Sequence, residues 1–151
     1  MNPLWKSYQL SLLALVIWRE ARGEGPKCMT AVGCSIRNRV KRPSWWGHDY
    51  IQCITKKWQY SSMAAPNDPQ LILYPQSGDP AFEQALQIAE WVIAETVSNP
   101  FPGADSYYDS SIPAPKWATA DTFCGKLGRI SFHNLDKDIE PVTTSQEETK
   151  P

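Results

Sequence analysis

The chain of 151 residues is predicted to form a mainly helical α+β single domain with a small irregular or β portion. Three features carry that expectation. Apolar residues recur at helical spacing in the first hundred residues, proline and glycine punctuate the segments between them, and the later residues are aromatic and irregular. The length suits one hydrophobic core, and 42% hydrophobic with 21% charged residues is ordinary for a globular protein. The expected division is a domain over 1–135 and a polar tail over 136–151. The tail, "DKDIEPVTTSQEETKP", carries too little apolar surface to order itself.

Taken in order, the pattern predicts a first helix from about Tyr8 to Arg22, with Leu13, Val16, Ile17 and Glu20 at spacings of three, four and seven. Gly23 suits its end, and Gly25-Pro26 suits the start of a second helix reaching about Val40, closed before Pro43. A short helix fits Asp49 to Thr55. Residues 56–79 mix proline, asparagine, glycine and serine with short apolar runs, so a long and partly irregular segment is expected. The clearest helix is "DPAFEQALQIAEWVIAETV" (79–97), with Asp79 as N-cap, Pro80 at the first helical position, and Phe82, Ala85, Leu86, Ala89, Val92, Ile93 and Thr96 on one face. Loops follow, with short strands expected around Tyr107 and Ile130.

Composition limits the function classes. A net charge of -1 provides no overall field for nucleic acid or anionic membrane. Arg37, Arg39, Lys41 and Arg42 cluster, and are expected to form the solvated end of the second helix. "LLALVIW" (12–18) is too short to span a bilayer, and "REARGEGP" after it has no small-residue cleavage site. The protein is therefore expected to be made without a cleaved signal and to have no membrane span. Cys28, Cys34, Cys53 and Cys124 form no CxxC pair, and His48 and His133 lie far apart, so no metal or cofactor is expected. Buried free thiols, or one or two disulfides, are the favoured readings of the cysteines. Seven tryptophans and six tyrosines suit sugar faces and cores alike.

Glu20 is the residue out of place. It continues the apolar stripe, its neighbours four residues away are Val16 and Glu24, and neither Arg19 nor Arg22 stands at a facing position. Burial, the negative helix end and a like charge would all raise its pKa. A carboxylic acid kept protonated near neutrality suits general acid catalysis of glycoside cleavage. The helix alone leaves a second reading open, in which the last turn frays and Glu20 points into water. Glu24, beyond the glycine, is expected to be structural near the site, accepting backbone amides at the start of the second helix.

"EARGEGPKCMTAVGCSIRNRV" (20–40) resembles the opening signature of the SleB-like cell wall hydrolases, a family that includes spore-cortex-lytic enzymes. Three further blocks agree in order. "QYS" (59–61) is similar to the family's Q-F-S, "PGADSYYD" (102–109) to its G-A-x-x-Y-Y/F loop, and "KW" (116–117) with "KLGRISFH" (126–133) to its W and terminal G-x-H-x-F-Y. Ile130 stands where the family pattern has histidine, with His133 following.

The resemblance implies a lysozyme-like fold and cleavage of peptidoglycan glycan strands between N-acetylmuramic acid and N-acetylglucosamine by a lytic transglycosylase mechanism, with Glu20 as the single catalytic acid and base. It implies substrate-binding roles for Gln59, Ser61, Tyr107, Tyr108 and Trp117, of which packing alone is the competing reading for each. A monomer acting in the periplasm or cell wall is expected. A compact catalytic domain of this kind suits a phage endolysin, cytoplasmic until release. A hydrolytic muramidase would need a second carboxylate roughly 5–9 Å across the bond, for which Asp105 and Asp109 are the candidates, though each is more often a turn residue. The residues also leave open a non-catalytic glycan-binding domain and a Cys/His peptidase of the wall peptide.

Overall fold

A computed structural model describes residues 2–56, 59–64 and 66–137. Helix α1 (Pro3–Ala21) begins earlier than its periodicity suggests. Asn2 caps it by accepting the Leu4 amide, and Pro3 opens it, but its first turns leave Leu4, Trp5 and Tyr8 exposed and so add nothing to the apolar stripe. The run over 12–18 is the centre of the core, with Leu13, Ala14, Val16 and Ile17 fully buried. Gly23, at φ +89°, turns the chain into α2 (Pro26–Lys41). α3 (Tyr50–Thr55) is capped by Asp49, which accepts the Gln52 amide at 2.8 Å.

The irregular segment expected over 56–79 holds a one-turn helix α4 (Ser61–Ala64) and a 3-10 turn (Pro69–Ile72). α5 (Pro80–Ala94) follows, its amides at Ala81 and Phe82 capped by Asp79 as the sequence predicts. It stops three residues early. Glu95 adopts a left-handed conformation and its amide bonds back to Trp91 and Val92, so Thr96 leaves the buried face. α5 packs against both α1 and α2, burying Ala85, Ile88, Ala89 and Val92.

The three-stranded antiparallel sheet has the order β1-β3-β2, with β1 (Ser106–Asp109), β2 (Phe123–Leu127) and β3 (Ile130–His133). β1 and β3 lie where the aromatic runs predict strands. β2 escapes prediction because "FCGKL" is an edge strand with no alternation and an irregular register between Phe123 and Gly125. Central β3 is buried throughout, and Ile130, in the place of the family histidine, is an ordinary core residue, 1% exposed.

The basic cluster departs from expectation. Arg39 and Arg42 are 4% and 7% exposed, so they are not a solvated helix end. Arg39 Nε donates to the Asp105 carbonyl at 2.6 Å, and Arg42 Nη2 donates to the Gly103 carbonyl at 3.1 Å. Between them Asn38 donates to the carbonyls of Phe101 and Ala104. The "NRV" block is thus a clamp joining α2 to the loop that enters β1. After β3, the amides of Leu135 and Asp136 donate to the two carboxyl oxygens of Asp105, and Lys137 donates to the Asp121 carbonyl. Residues 138–151 of the expected tail lie outside the described residues.

Candidate active site

A cleft of about 720 Å³ opens where the end of α1, the 59–70 segment and β1 meet. β1 lies along it, from Ser106 beside Arg39 to Asp109 beside Arg129, a distance of about 10 Å at the usual strand rise. Glu20, Gln59, Tyr107, Tyr108 and Trp117 all line it. Five of the six residues assigned catalysis or binding from sequence are therefore brought together. The sixth, Ser61, has its side chain outside the described residues.

Glu20 sits in the last turn of α1, and that turn does not fray: the Arg22 amide donates to Trp18 and the Arg22 guanidinium donates to the carbonyls of Trp18 and Arg19. The carboxyl faces the cleft rather than solvent, and its Oε1 accepts the Ser62 hydroxyl at 2.6 Å. Burial pushes its pKa above the ordinary carboxylate value; the Ser62 hydrogen bonds offset part of that, and the charges of Asp68 and Asp109 add to the rise. Ser62 is 2% exposed and stands next to the motif serine at 61. Sequence reasoning missed it because the family block places weight on its neighbour, and the hydroxyl reaches Glu20 only through the fold, 42 residues along the chain.

Gln59 enters the cleft with its carbonyl oxygen held by Arg39 Nη1 at 3.1 Å, and its amide nitrogen makes no hydrogen bond among the described residues. The Arg39 guanidinium also lies 5.1 Å from the ring centroid of Trp46 and 5.4 Å from that of Tyr60. Tyr107 packs against Phe132 and Tyr60, and its hydroxyl is buried at the cleft without a hydrogen-bond partner among the described residues. Burial, followed by the Glu20 charge, keeps that phenol protonated far above its ordinary range. Tyr108 and Trp117 meet edge to face at 6.0 Å and form an aromatic wall. His133 braces this wall from behind, 5.7 Å from the Tyr108 ring and 5.5 Å from the Trp117 ring. It is 3% exposed and held by Thr122 and Ser131, each at 2.9 Å, so it is not a cleft residue. Half-exposed Trp45 also lines the cleft, although nothing in its sequence context singles it out.

Glu24 requires a correction. It does not accept the amides that open α2; it binds the β2–β3 turn, accepting Arg129 Nε at 2.5 Å and the Arg129 amide at 3.3 Å. The turn comes close because Gly128, at φ +56°, has no Cβ, which would collide with a Glu24 carboxyl oxygen. These contacts join the α1–α2 junction to the sheet.

Asp105 and Asp109, the candidates for a second acid, separate clearly. Asp105 is 1% exposed, its oxygens are taken by Ser106, Leu135 and Asp136, and it does not line the cleft. Asp109 does line the cleft. Partial burial pushes its pKa up, but the Ser111 hydrogen bonds and the Arg129 charge together outweigh that and hold it below the ordinary value. Asp68 also lines the cleft, its carboxylate capping the 3-10 turn at Gln70.

All four cysteines are free thiols. Burial pushes the Cys28 thiol up to about 11 and the Cys53 thiol up to about 12, the wrong direction for a nucleophile. None lines the cleft. A Cys/His peptidase has no site here among the described residues. No described helix is long and apolar enough to cross a membrane.

The fold is similar to two solved structures. One is the catalytic domain of the germination-specific lytic transglycosylase SleB from Bacillus anthracis, with a TM-score of 0.65 and 22% identity over 83% of this chain and 93% of that one. The other is the catalytic domain of the Bacillus cereus SleB protein, with a TM-score of 0.64 and 23% identity over 83% of this chain and 88% of that one. No curated protein matches the chain. Residues 23–133, which run from the glycine after α1 to the end of β3, match the cell wall hydrolase family, and the chain belongs to that family.

Proposed function

We propose that the protein cleaves peptidoglycan glycan strands between N-acetylmuramic acid and N-acetylglucosamine, as a lytic transglycosylase with Glu20 as its one acid and base. The observation that carries this reading is the state of Glu20. It is a carboxyl group whose pKa burial raises, at the wall of a polar, aromatic cleft, with a hydroxyl donor at 2.6 Å. The family and the likeness to a lytic transglycosylase domain support it.

In this mechanism Glu20 gives its proton to the glycosidic oxygen as the bond to the anomeric carbon breaks, releasing the N-acetylglucosamine-side hydroxyl. The carboxylate then takes the proton of the muramic C6 hydroxyl while that oxygen bonds to the anomeric carbon. The product is a 1,6-anhydro end, and Glu20 is protonated again. Ring closure is intramolecular, so orientation supplies much of the acceleration and no second carboxylate has to activate water. Gln59 offers an amide to acetamido or hydroxyl groups, Tyr107 offers a hydroxyl that has no partner among the described residues, and Tyr108 with Trp117 offers ring faces and edges to the sugars. The site of action is the periplasm or cell wall, and release at lysis from a phage-infected cell is one such setting.

The presence of Asp109 and Asp68 in the cleft favours one second reading, a hydrolytic muramidase in which one of them activates water. Mass spectrometry of digested, unreduced sacculi separates the two. Anhydromuramic ends are expected. Reducing muramic ends, heavier by one water, would replace the transglycosylase reading with the hydrolytic one.

A further inference from the structure

Arg19 stands beside Glu20 in sequence, at the end of α1, and is 7% exposed with no carboxylate within salt-bridge distance among the described residues. Its guanidinium spends its donors on a different target. Nη1 donates to the Ser62 carbonyl at 2.9 Å and to Met63 Sδ at 3.3 Å. Nε and Nη2 donate to the Leu73 carbonyl at 3.1 and 3.0 Å, and Nη2 also reaches the Leu71 carbonyl at 3.3 Å. The Tyr74 ring lies 4.8 Å over it. One side chain on the catalytic helix therefore gathers both ends of the 62–73 segment.

The 66–73 half of that segment is largely exposed. Ile72 and Tyr74 are 82% and 65% exposed, and the 3-10 turn within it buries no residue. Yet the segment supplies Ser62, which donates to Glu20, and Asp68, Pro69 and Gln70, which form one wall of the cleft. An arginine fork suits this task, because its planar donors bind several carbonyls in one fixed geometry where a lysine ammonium would act as a point charge.

We propose that Arg19 is a positioning residue for the general acid: by pinning the 62–73 segment to the end of α1, it holds the Ser62 hydroxyl on Glu20 and the Asp68–Gln70 wall beside the cleft. The inference rests on the proposed role of Glu20, and its test has a readout independent of turnover. Among the described residues, the groups that act on the Glu20 carboxyl are Ser62, Asp68, Asp109, Tyr60 and Tyr107. Ser62 is the hydrogen-bonding partner that favours the ionised form, so losing it moves the Glu20 titration upward.

The experiment compares wild type, Arg19→Lys, Ser62→Ala and the double variant, each confirmed as folded by circular dichroism. Carbon-13 labelling of glutamate side chains follows the Glu20 titration by NMR, and soluble glycan strands serve as substrate. In Arg19→Lys, the Glu20 midpoint and the basic limb of the kcat profile are expected to move upward, in the same direction as in Ser62→Ala. kcat should fall by about 10- to 100-fold, the scale of a displaced catalytic geometry. The double variant should lose much less than the product of the single losses, because both act through one hydrogen bond. A Glu20 midpoint that moves in Ser62→Ala and stays fixed in Arg19→Lys would overturn the proposal, as would multiplicative losses. If Arg19→Lys does not fold, Arg19→Gln is read in the same way, and hydrogen exchange over 60–74 in Ser62→Ala then decides: Arg19 still in place keeps that segment protected, and lost protection overturns the assignment. A wild-type enzyme that releases no anhydromuramic ends would instead count against the transglycosylase reading, with the titration result unaffected.

Discussion

Replacing Asp105 with Asn tests whether the second acid of the sequence reading is structural. In the fold Oδ1 accepts the Ser106 hydroxyl at 3.0 Å and the Leu135 amide at 2.9 Å, while Oδ2 accepts the Asp136 amide at 2.9 Å and lies 3.8 Å from Arg42 Nη2. Asparagine matches the shape but has only one acceptor oxygen. Its best orientation keeps that oxygen at the Oδ1 position and turns the amide nitrogen toward the Asp136 amide and Arg42, donor against donor. One charge-assisted hydrogen bond, worth about 1.5–3 kcal/mol, is lost, and buried Arg42 loses its anionic neighbour. A total of about 2–4 kcal/mol corresponds to a melting temperature lower by roughly 5–15 °C for a domain of this size. Calorimetry gives the melting shift, and turbidity clearing of purified sacculi well below it gives the activity. The expected outcome is a large loss of stability with clearing per folded molecule close to wild type. An unchanged melting temperature with lost clearing would refute the structural assignment and return Asp105 to the chemistry.

Glu20→Gln should lower clearing by about 10²–10⁴-fold, the usual contribution of a general acid, measured by initial rates on sacculi. The same change should leave the melting temperature at neutral pH equal or higher. The folded pKa of Glu20 is raised, so its stabilising neutral form is fully present at low pH, and stability is lost as pH rises from the unfolded value through the folded one; the amide has no such loss. Gly128→Ala should cost about 1–2 kcal/mol from the left-handed backbone, and the added Cβ should also displace Glu24, which a melting curve and a crystal structure of the variant would check. Ending the chain after Lys137 should leave the melting temperature within about 2 °C of wild type, since the composition beyond it is too polar to bury a core. Ending it after Asn134 should lower the melting temperature clearly, because both amides that satisfy Asp105 are removed.

Local sequence determined the helices, and for a physical reason. Caps, helix-opening prolines and apolar periodicity act within a few residues, so Asp49, Asp79, Pro26 and Pro80 mark their elements without help from the fold. The stripe of α1 likewise pointed Glu20 inward before any partner was known. Where burial conflicts with pattern, the reading failed: exposed Leu4 and Trp5 hid the first turns of α1, and the edge position of β2 hid that strand.

Tertiary structure alone decided who meets Glu20. Its hydrogen-bond donor is Ser62, the clamp on that donor is Arg19, and Glu24 turns to Arg129, 105 residues away, rather than to its own neighbouring helix. The same holds for Arg39 and Arg42, which look like a solvated charge run in sequence and are buried clamps in the fold. A polar side chain's partner depends on which distant backbone carbonyl or carboxylate folding leaves unsatisfied beside it, and a buried group must find one. Periodicity states which way a residue faces; only the packed chain states what stands there.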